Sequence, residues 1–158
     1  MKYVVKATGK QREAIGETKW RTKGRVERQE IGNLTNLKEL NIYNYKIDAL
    51  PNEIGNLLNL EEIMLCGSLN SLPSSIQNWK KIKNLYLAGN KLNKTPPYFY
   101  LFSELEFLDL SRNNISFIND SIKLLKQIKD LTFNGNIELK NLPESICELR
   151  MLERLDIE

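Results

Sequence analysis

From Ile31 to the last residue, apolar and polar positions follow one frame, LxxLxLxxNxLxxLP, with mostly polar residues at x. It is clearest in LKELNIYNYKIDALP from Leu37, IKNLYLAGNKLNKTP from Ile82 and LEFLDLSRNNISFIN from Leu105. The first apolar position falls at Leu37, Leu60, Ile82, Leu105, Ile128 and Leu152, at intervals of 23, 22, 23, 23 and 24. A register held through six copies marks a repeat architecture, in which each unit buries its apolar side against the next. Within the frame, Leu85 and Leu87 flank Tyr86, the alternation of a short strand with one buried face. The same alternation recurs at Leu40-Asn41-Ile42, Ile63-Met64-Leu65, Leu108-Asp109-Leu110, Leu131-Thr132-Phe133 and Leu155-Asp156-Ile157. Six short parallel strands are expected there. Between strands a second spacing takes over. Ile54, Leu57 and Leu60 lie three apart, as do Ile76, Trp79 and Ile82, and Ile146, Leu149 and Leu152. This predicts one face of a short helix of about two turns on the opposite wall, with proline tolerated at its start.

The frame asparagine follows the strand at Asn90, Asn113 and Asn136, while Tyr45 and Ser68 replace it in the first two copies. Its amide suits the unpaired backbone of a tight turn, so the three form a short ladder. The copy from Leu60 is one residue short and that from Ile128 one long, which distorts turns without breaking the stack. The aromatic run PPYFYLF from Pro96 has two readings, core filling or an exposed aromatic patch on the convex side.

The linkers PNEIGNLLNL from Pro51, PSSIQNWKKI from Pro73 and PESICELRML from Pro143 complete the frame. Frame and linker together resemble the leucine-rich repeat family, in its 23-residue class found in bacterial repeat proteins and Ras-pathway scaffold proteins. The resemblance covers roughly four fifths of the chain, Ile31 to Glu158. It implies an α/β solenoid, with a curved parallel sheet on the concave face and short helices or turns on the convex face. About five full repeats and a truncated sixth would occupy residues 31–158. Such folds are recognition architectures, and the fold alone does not name a partner.

Composition changes this picture at the N-terminus. Residues 1–30 hold nine Lys or Arg against four Glu, while the chain as a whole carries +3. Lys2 to Ala7 reads as a short strand, and Thr18 to Val26 alternates. One reading is a basic cap whose Trp20 covers the first repeat; an arm for phosphate or acidic partners and a flexible leader are the alternatives. The net charge is too small to argue for nucleic acid. No run of about 18 apolar residues is present, so no membrane span is expected. The first residues lack the apolar core of a signal peptide. Cys66 and Cys147 fall on opposite walls of the frame, which favours a reducing compartment and a cytoplasmic location, with a secreted effector as the alternative. The chain has no histidine, which excludes Ser-His-Asp, Cys-His and His-zinc sites within it. No cofactor is expected.

Strand positions flanking the buried pair face the concave side in three columns. The central one reads Asn41, Met64, Tyr86, Asp109, Thr132, Asp156; the one before it Glu39, Glu62, Asn84, Phe107, Asp130, Arg154; the one after it Tyr43, Cys66, Ala88, Ser111, Asn134, Glu158. Tyr43, Met64, Tyr86 and Phe107 therefore run diagonally across four strands, with Glu39, Glu62, Asp109 and Asp130 around them. Aromatics and methionine are enriched at interface cores. A protein or peptide partner with an apolar anchor and a basic rim fits this surface; cross-strand stabilisation by the tyrosines is the plainer account. Asp109 and Asp130 stand on an open sheet, without the enclosed pocket catalysis needs. The expected function is a non-enzymatic interaction module. The rivals are the targeting part of a larger effector enzyme of the ubiquitin-ligase kind, as the resemblance allows, and a surface adhesin. Leu152, Leu155 and Ile157 form the inward positions of an unfinished copy, so fraying or self-association is expected at that edge, and a longer parent protein with it.

Overall fold

The computed structural model describes residues 30–43 and 47–158, with side chains from 31–42 and 47–158. The expectations for the basic leader, for Trp20 and for Tyr45 lie outside the described residues, as does the side chain of Tyr43.

Each copy of the frame supplies one strand. These are β1 (Glu39–Tyr43), β2 (Glu62–Cys66), β3 (Asn84–Tyr86), β4 (Phe107–Asp109), β5 (Asp130–Thr132) and β6 (Arg154–Asp156). They form a six-stranded parallel sheet among the described residues, in sequence order. The register pairs Asn41 with Met64, Met64 with Tyr86, Tyr86 with Asp109, Asp109 with Thr132, and Thr132 with Asp156. The central column of the sequence is thus a row of neighbours in space. Period-two alternation sends the flanking leucines inward, and Leu40, Leu65, Leu85, Leu87, Leu108, Leu110 and Leu131 are all buried. Parallel strands need crossover connections, and here the crossover is the linker that forms the opposite wall.

That wall carries the short helices or turns expected there, and they are of the 3-10 type. It consists of short 3-10 segments: η1 (Glu30–Asn33), η2 (Asn52–Asn56), η3 (Ser74–Asn78), η4 (Pro97–Leu101), η5 (Asp120–Leu124) and η6 (Glu144–Glu148). The physical reason lies in the three-residue spacing. Ile54 N–H donates to Pro51 O, Leu57 N–H to Ile54 O, and Leu60 N–H to Leu57 O. The same staircase of i to i−3 bonds runs from Pro73 to Ile82, Pro96 to Leu105, Asn119 to Ile128 and Pro143 to Leu152. A period of three keeps every third side chain on one line, so all three apolar positions of each linker face the sheet. Trp79 fills the layer between η2 and η3, and its indole N–H donates to Ile54 O at 3.0 Å.

The aromatic run resolves as core filling. Phe99, Tyr100 and Phe102 are buried, and the Phe99 and Phe102 rings lie 5.7 Å apart. Tyr98 is half-buried and donates to Leu72 O at 2.5 Å. The exposed members of the run are Pro97 and Leu101, neither of them aromatic, so the run forms no aromatic patch on the convex side.

The asparagine ladder closes the turns after the strands. Asn113 Nδ2 donates to Leu87 O in the preceding repeat at 3.0 Å and to Leu110 O in its own at 2.9 Å, while its Oδ1 accepts from Leu92 N–H at 3.0 Å. Asn90 makes the equivalent bonds to Leu65 O, Leu87 O and Leu69 N–H, and Asn136 to Leu110 O, Phe133 O and Ile115 N–H. All three are buried. Each ties the turn of one repeat to the backbone of the one before it.

Candidate functional site

The concave face is built by the residues that alternate with the buried leucines, and strand register fixes their neighbours. Met64 pairs with Tyr86, Asn84 with Phe107, Tyr86 with Asp109, and Phe107 with Asp130. Tyr86 and Phe107 are half-buried diagonal neighbours whose ring centroids lie 4.6 Å apart with their planes at 36°. Close offset rings of this kind attract beyond the area they bury. They form one continuous aromatic surface rather than two separate side chains.

The carboxylates converge on this pair. Glu62, Asp109 and Asp130 all act on the Tyr86 hydroxyl: burial first, and then these three charges, push its pKa above the ordinary tyrosine value. Glu62 accepts from Asn84 Nδ2 at 3.0 Å, and Asp109 Oδ1 accepts from Ser111 N–H at 2.8 Å. Asp130 pairs with Arg154 at 3.0 Å, an arginine 71% exposed. Glu39 stands apart at the β1 end, directly across from Glu62. Like charges facing across neighbouring strands oppose folding, so this face carries charge that the fold itself does not call for. The predicted residues Glu62, Met64, Tyr86, Phe107, Asp109 and Asp130 are therefore brought together, while Glu39 lies at the margin. The backbone of Tyr43 pairs with Cys66 at the end of the diagonal.

Cys66 sits half-buried on this face and Cys147 is exposed on η6, both as free thiols. Burial, and after it Asp109, pushes the Cys66 thiol up and so away from the reactive thiolate. Among the described residues no group of His, Cys, Asp and Glu is arranged to hold a metal ion. No helix of the described residues is long and apolar enough to cross a membrane.

One column escaped the sequence reading. The residues at the leading end of the strands are Lys38, Glu61, Lys83, Glu106, Lys129 and Glu153, alternating in sign from repeat to repeat. Lys38 meets Glu61 at 2.7 Å, Lys83 meets Glu61 at 3.9 Å, and Lys129 meets Glu106 at 2.6 Å. Their backbones are linked in the same order, each N–H to the carbonyl of the column member before it. The signal was present in the sequence as a charge alternation with the period of the repeat. The column lies beside the concave face and balances its own charge, which leaves the carboxylates around Tyr86 unneutralised except through Arg154.

No model of a protein family matches the chain. A curated relative, leucine-rich repeat-containing protein 58 of Xenopus tropicalis, is 32% identical over 73 residues, covering 46% of this chain and 21% of its own. The solved structure of a leucine-rich repeat protein of Leptospira interrogans is similar with a TM-score of 0.76 and 40% identity, over 80% of this chain and 32% of that one. The leucine-rich repeat ectodomain of the plant membrane receptor kinase GASSHO1/SCHENGEN3 from Arabidopsis thaliana, solved in complex with Casparian strip integrity factor 2, gives 0.69 at 29% identity, over 81% and 16%. Internalin C2 of Listeria monocytogenes shares the fold alone, with a TM-score of 0.67 at 17% identity. The chain spans about a fifth of the curated relative and about a third of the Leptospira protein.

Proposed function

The chain belongs to the leucine-rich repeat family, and from that premise we propose that it is a non-catalytic interaction module binding a protein or peptide on its concave sheet. Folds of this family generally mediate protein–protein interaction. The observation that carries the reading is the Tyr86–Phe107 pair, aromatic surface left half-exposed at the centre of the sheet and ringed by Glu62, Asp109 and Asp130. Buried aromatic anchors dominate the energetics of interfaces. The plant receptor ectodomain solved with its ligand supports a polypeptide as the occupant.

The test is a comparison of two walls. Alanine at Tyr86 or at Phe107 weakens the partner by more than about 1 kcal/mol while leaving the fold in place. Gln77→Lys, on the exposed convex wall, leaves binding unchanged. Equal effects from the two walls would remove the concave site. A reducing, cytoplasmic setting belongs to the same proposal, supported by two free cysteines on opposite walls; fractionation with an exported marker tests it. Self-association along β6 is a second proposed contact, supported by Leu155 and Ile157, which are exposed there.

A further inference from the structure

An aromatic surface on a partner-binding face admits two kinds of anchor, an apolar side chain or a cation. The choice turns on shape and charge. Apolar hot spots fill pockets, and Tyr86 and Phe107 stack against each other at 4.6 Å, which closes the space between them and leaves each ring only the face turned away from the other. A hollow of about 200 Å³ does exist, but it lies on the flank beside Leu92, Lys94 and Tyr98. The outer face of such a pair suits a flat cation stacked on it.

Charge points the same way. The three concave columns hold Glu39, Glu62, Asp109, Asp130, Asp156 and Glu158 against the single cation Arg154. The chain as a whole is +3, so its positive charge lies elsewhere and the concave face is the acidic one. Around the pair, Asp109 uses Oδ1 on Ser111 N–H and Glu62 uses Oε2 on Asn84. Their other oxygens, Oδ2 and Oε1, have no hydrogen-bond partner among the described residues. They are acceptors beside an aromatic face. The Arg154–Asp130 contact at 3.0 Å is the same pairing made within the chain.

Resting on the concave-face reading above, we infer that the partner is held by a basic side chain of a protein segment, an arginine before a lysine, stacked on the outer face of the Tyr86–Phe107 pair and paired with Asp109 and Glu62. Arginine is favoured because its planar guanidinium stacks on rings and forks onto carboxylates, whereas an ammonium is a compact and more strongly hydrated charge. The pKa of the Tyr86 hydroxyl is raised first by burial and then by Glu62, Asp109 and Asp130, the charges such a cation would meet. Association should be fast and should weaken with salt.

The probe is a library of random peptides displayed on phage and selected against the whole chain, with selected peptides then made synthetically. The expected result is an arginine at one shared position. Its replacement by citrulline, of the same shape but neutral, weakens binding by about tenfold, and its replacement by lysine by less. A Tyr86→Leu, Phe107→Leu variant keeps apolar bulk and so preserves folding, checked by circular dichroism, yet loses the arginine preference. A Glu62→Gln, Asp109→Asn variant loses most of the salt dependence. Two failures are distinguishable. Peptides that lose affinity in the leucine variant but tolerate citrulline overturn the cationic anchor and leave the concave face standing. Peptides that bind both variants as well as wild type, or a selection that enriches nothing, overturn the concave reading and the anchor with it.

Discussion

The residue ahead of each ladder asparagine takes a left-handed backbone: Gly89 at φ 70°, Arg112 at φ 51° and Gly135 at φ 74°. Two glycines and one arginine thus do the same job at different cost, since only glycine occupies this region without strain. Gly89→Ala therefore costs about 1–2 kcal/mol, measured by urea unfolding, although an added Cβ would meet nothing within 4 Å. Arg112→Gly is neutral or stabilising by up to about 1 kcal/mol; a clear loss on that change would mean the turn is not strained. The asparagines themselves were legible in the sequence, because a polar residue at a fixed place in an apolar frame needs a buried partner. The left-handed position was not recognised, although Gly-Asn in two of the three copies was the signal. Asn113→Ala strands Leu92 N–H and takes one of two amide donors from the carbonyls of Leu87 and Leu110, which keep those of Asn90 and Asn136. It costs roughly 1–3 kcal/mol, and a loss near zero would show that water replaces the amide. At the thiols, alkylation reaches exposed Cys147 well before Cys66, whose burial holds it in the unreactive form; equal labelling rates would contradict the packing of the concave face.

At the scale of elements, the three-residue spacing of the linkers announced short helices but not their type. Positions i and i+3 share a face in both α and 3-10 helices, so spacing alone does not separate them. The i to i−3 bonds from Pro51 to Leu60 and their copies decide it. The turns also approach closely in a way sequence did not announce. A Cβ at Gly55 would fall 2.5 Å from both Ser75 Cβ and Ser75 O, so η2 and η3 touch backbone to backbone there. Gly55→Ala forces the two turns apart, at a cost of about 1–3 kcal/mol in urea unfolding. A neutral result would mean the convex wall slides freely. The alternating column acts across elements as well. The hydrogen bond from Lys38 first, and then its charge, holds Glu61 below its ordinary value of 4.5, and Lys129 does the same to Glu106. A carboxylate depressed in the folded state contributes stability above its unfolded pKa and loses it as pH falls through the folded value. The column is thus intact at neutral pH and fails on acidification from about 4.5 downward. Glu106→Lys places three lysines in a row, lowering the urea midpoint more at low salt than at high salt. A salt-independent effect would assign the loss to packing instead.

At the scale of the molecule, the solenoid was legible because six copies of one frame leave a single way to bury their leucines. Which side chains share the concave face was legible for the same reason, since a period of two sorts them without further information. What the sequence could not carry was the meeting of Tyr86 with Phe107, which depends on how two rings turn toward each other across neighbouring strands. The same stacking makes stability uneven along the array. Leu85 and Leu87 are fully covered by repeats on both sides, whereas in the matching layer of β6 Leu155 is 38% and Ile157 56% exposed. Local opening follows the density of buried contacts, so amide exchange is slowest across β3 and β4 and quickest across residues 150–158. Arrays of stacked units lose order from the less covered side. If copies associate along β6, as proposed, protection of residues 150–158 rises with protein concentration while that of β3 and β4 does not change, and sedimentation shows the matching dimer. If those last residues are as protected in dilute monomer as Leu85 to Leu110, the layer is held by contacts of its own. Self-association along β6 then loses its support, while the Tyr86–Phe107 pair, on β3 and β4, is untouched.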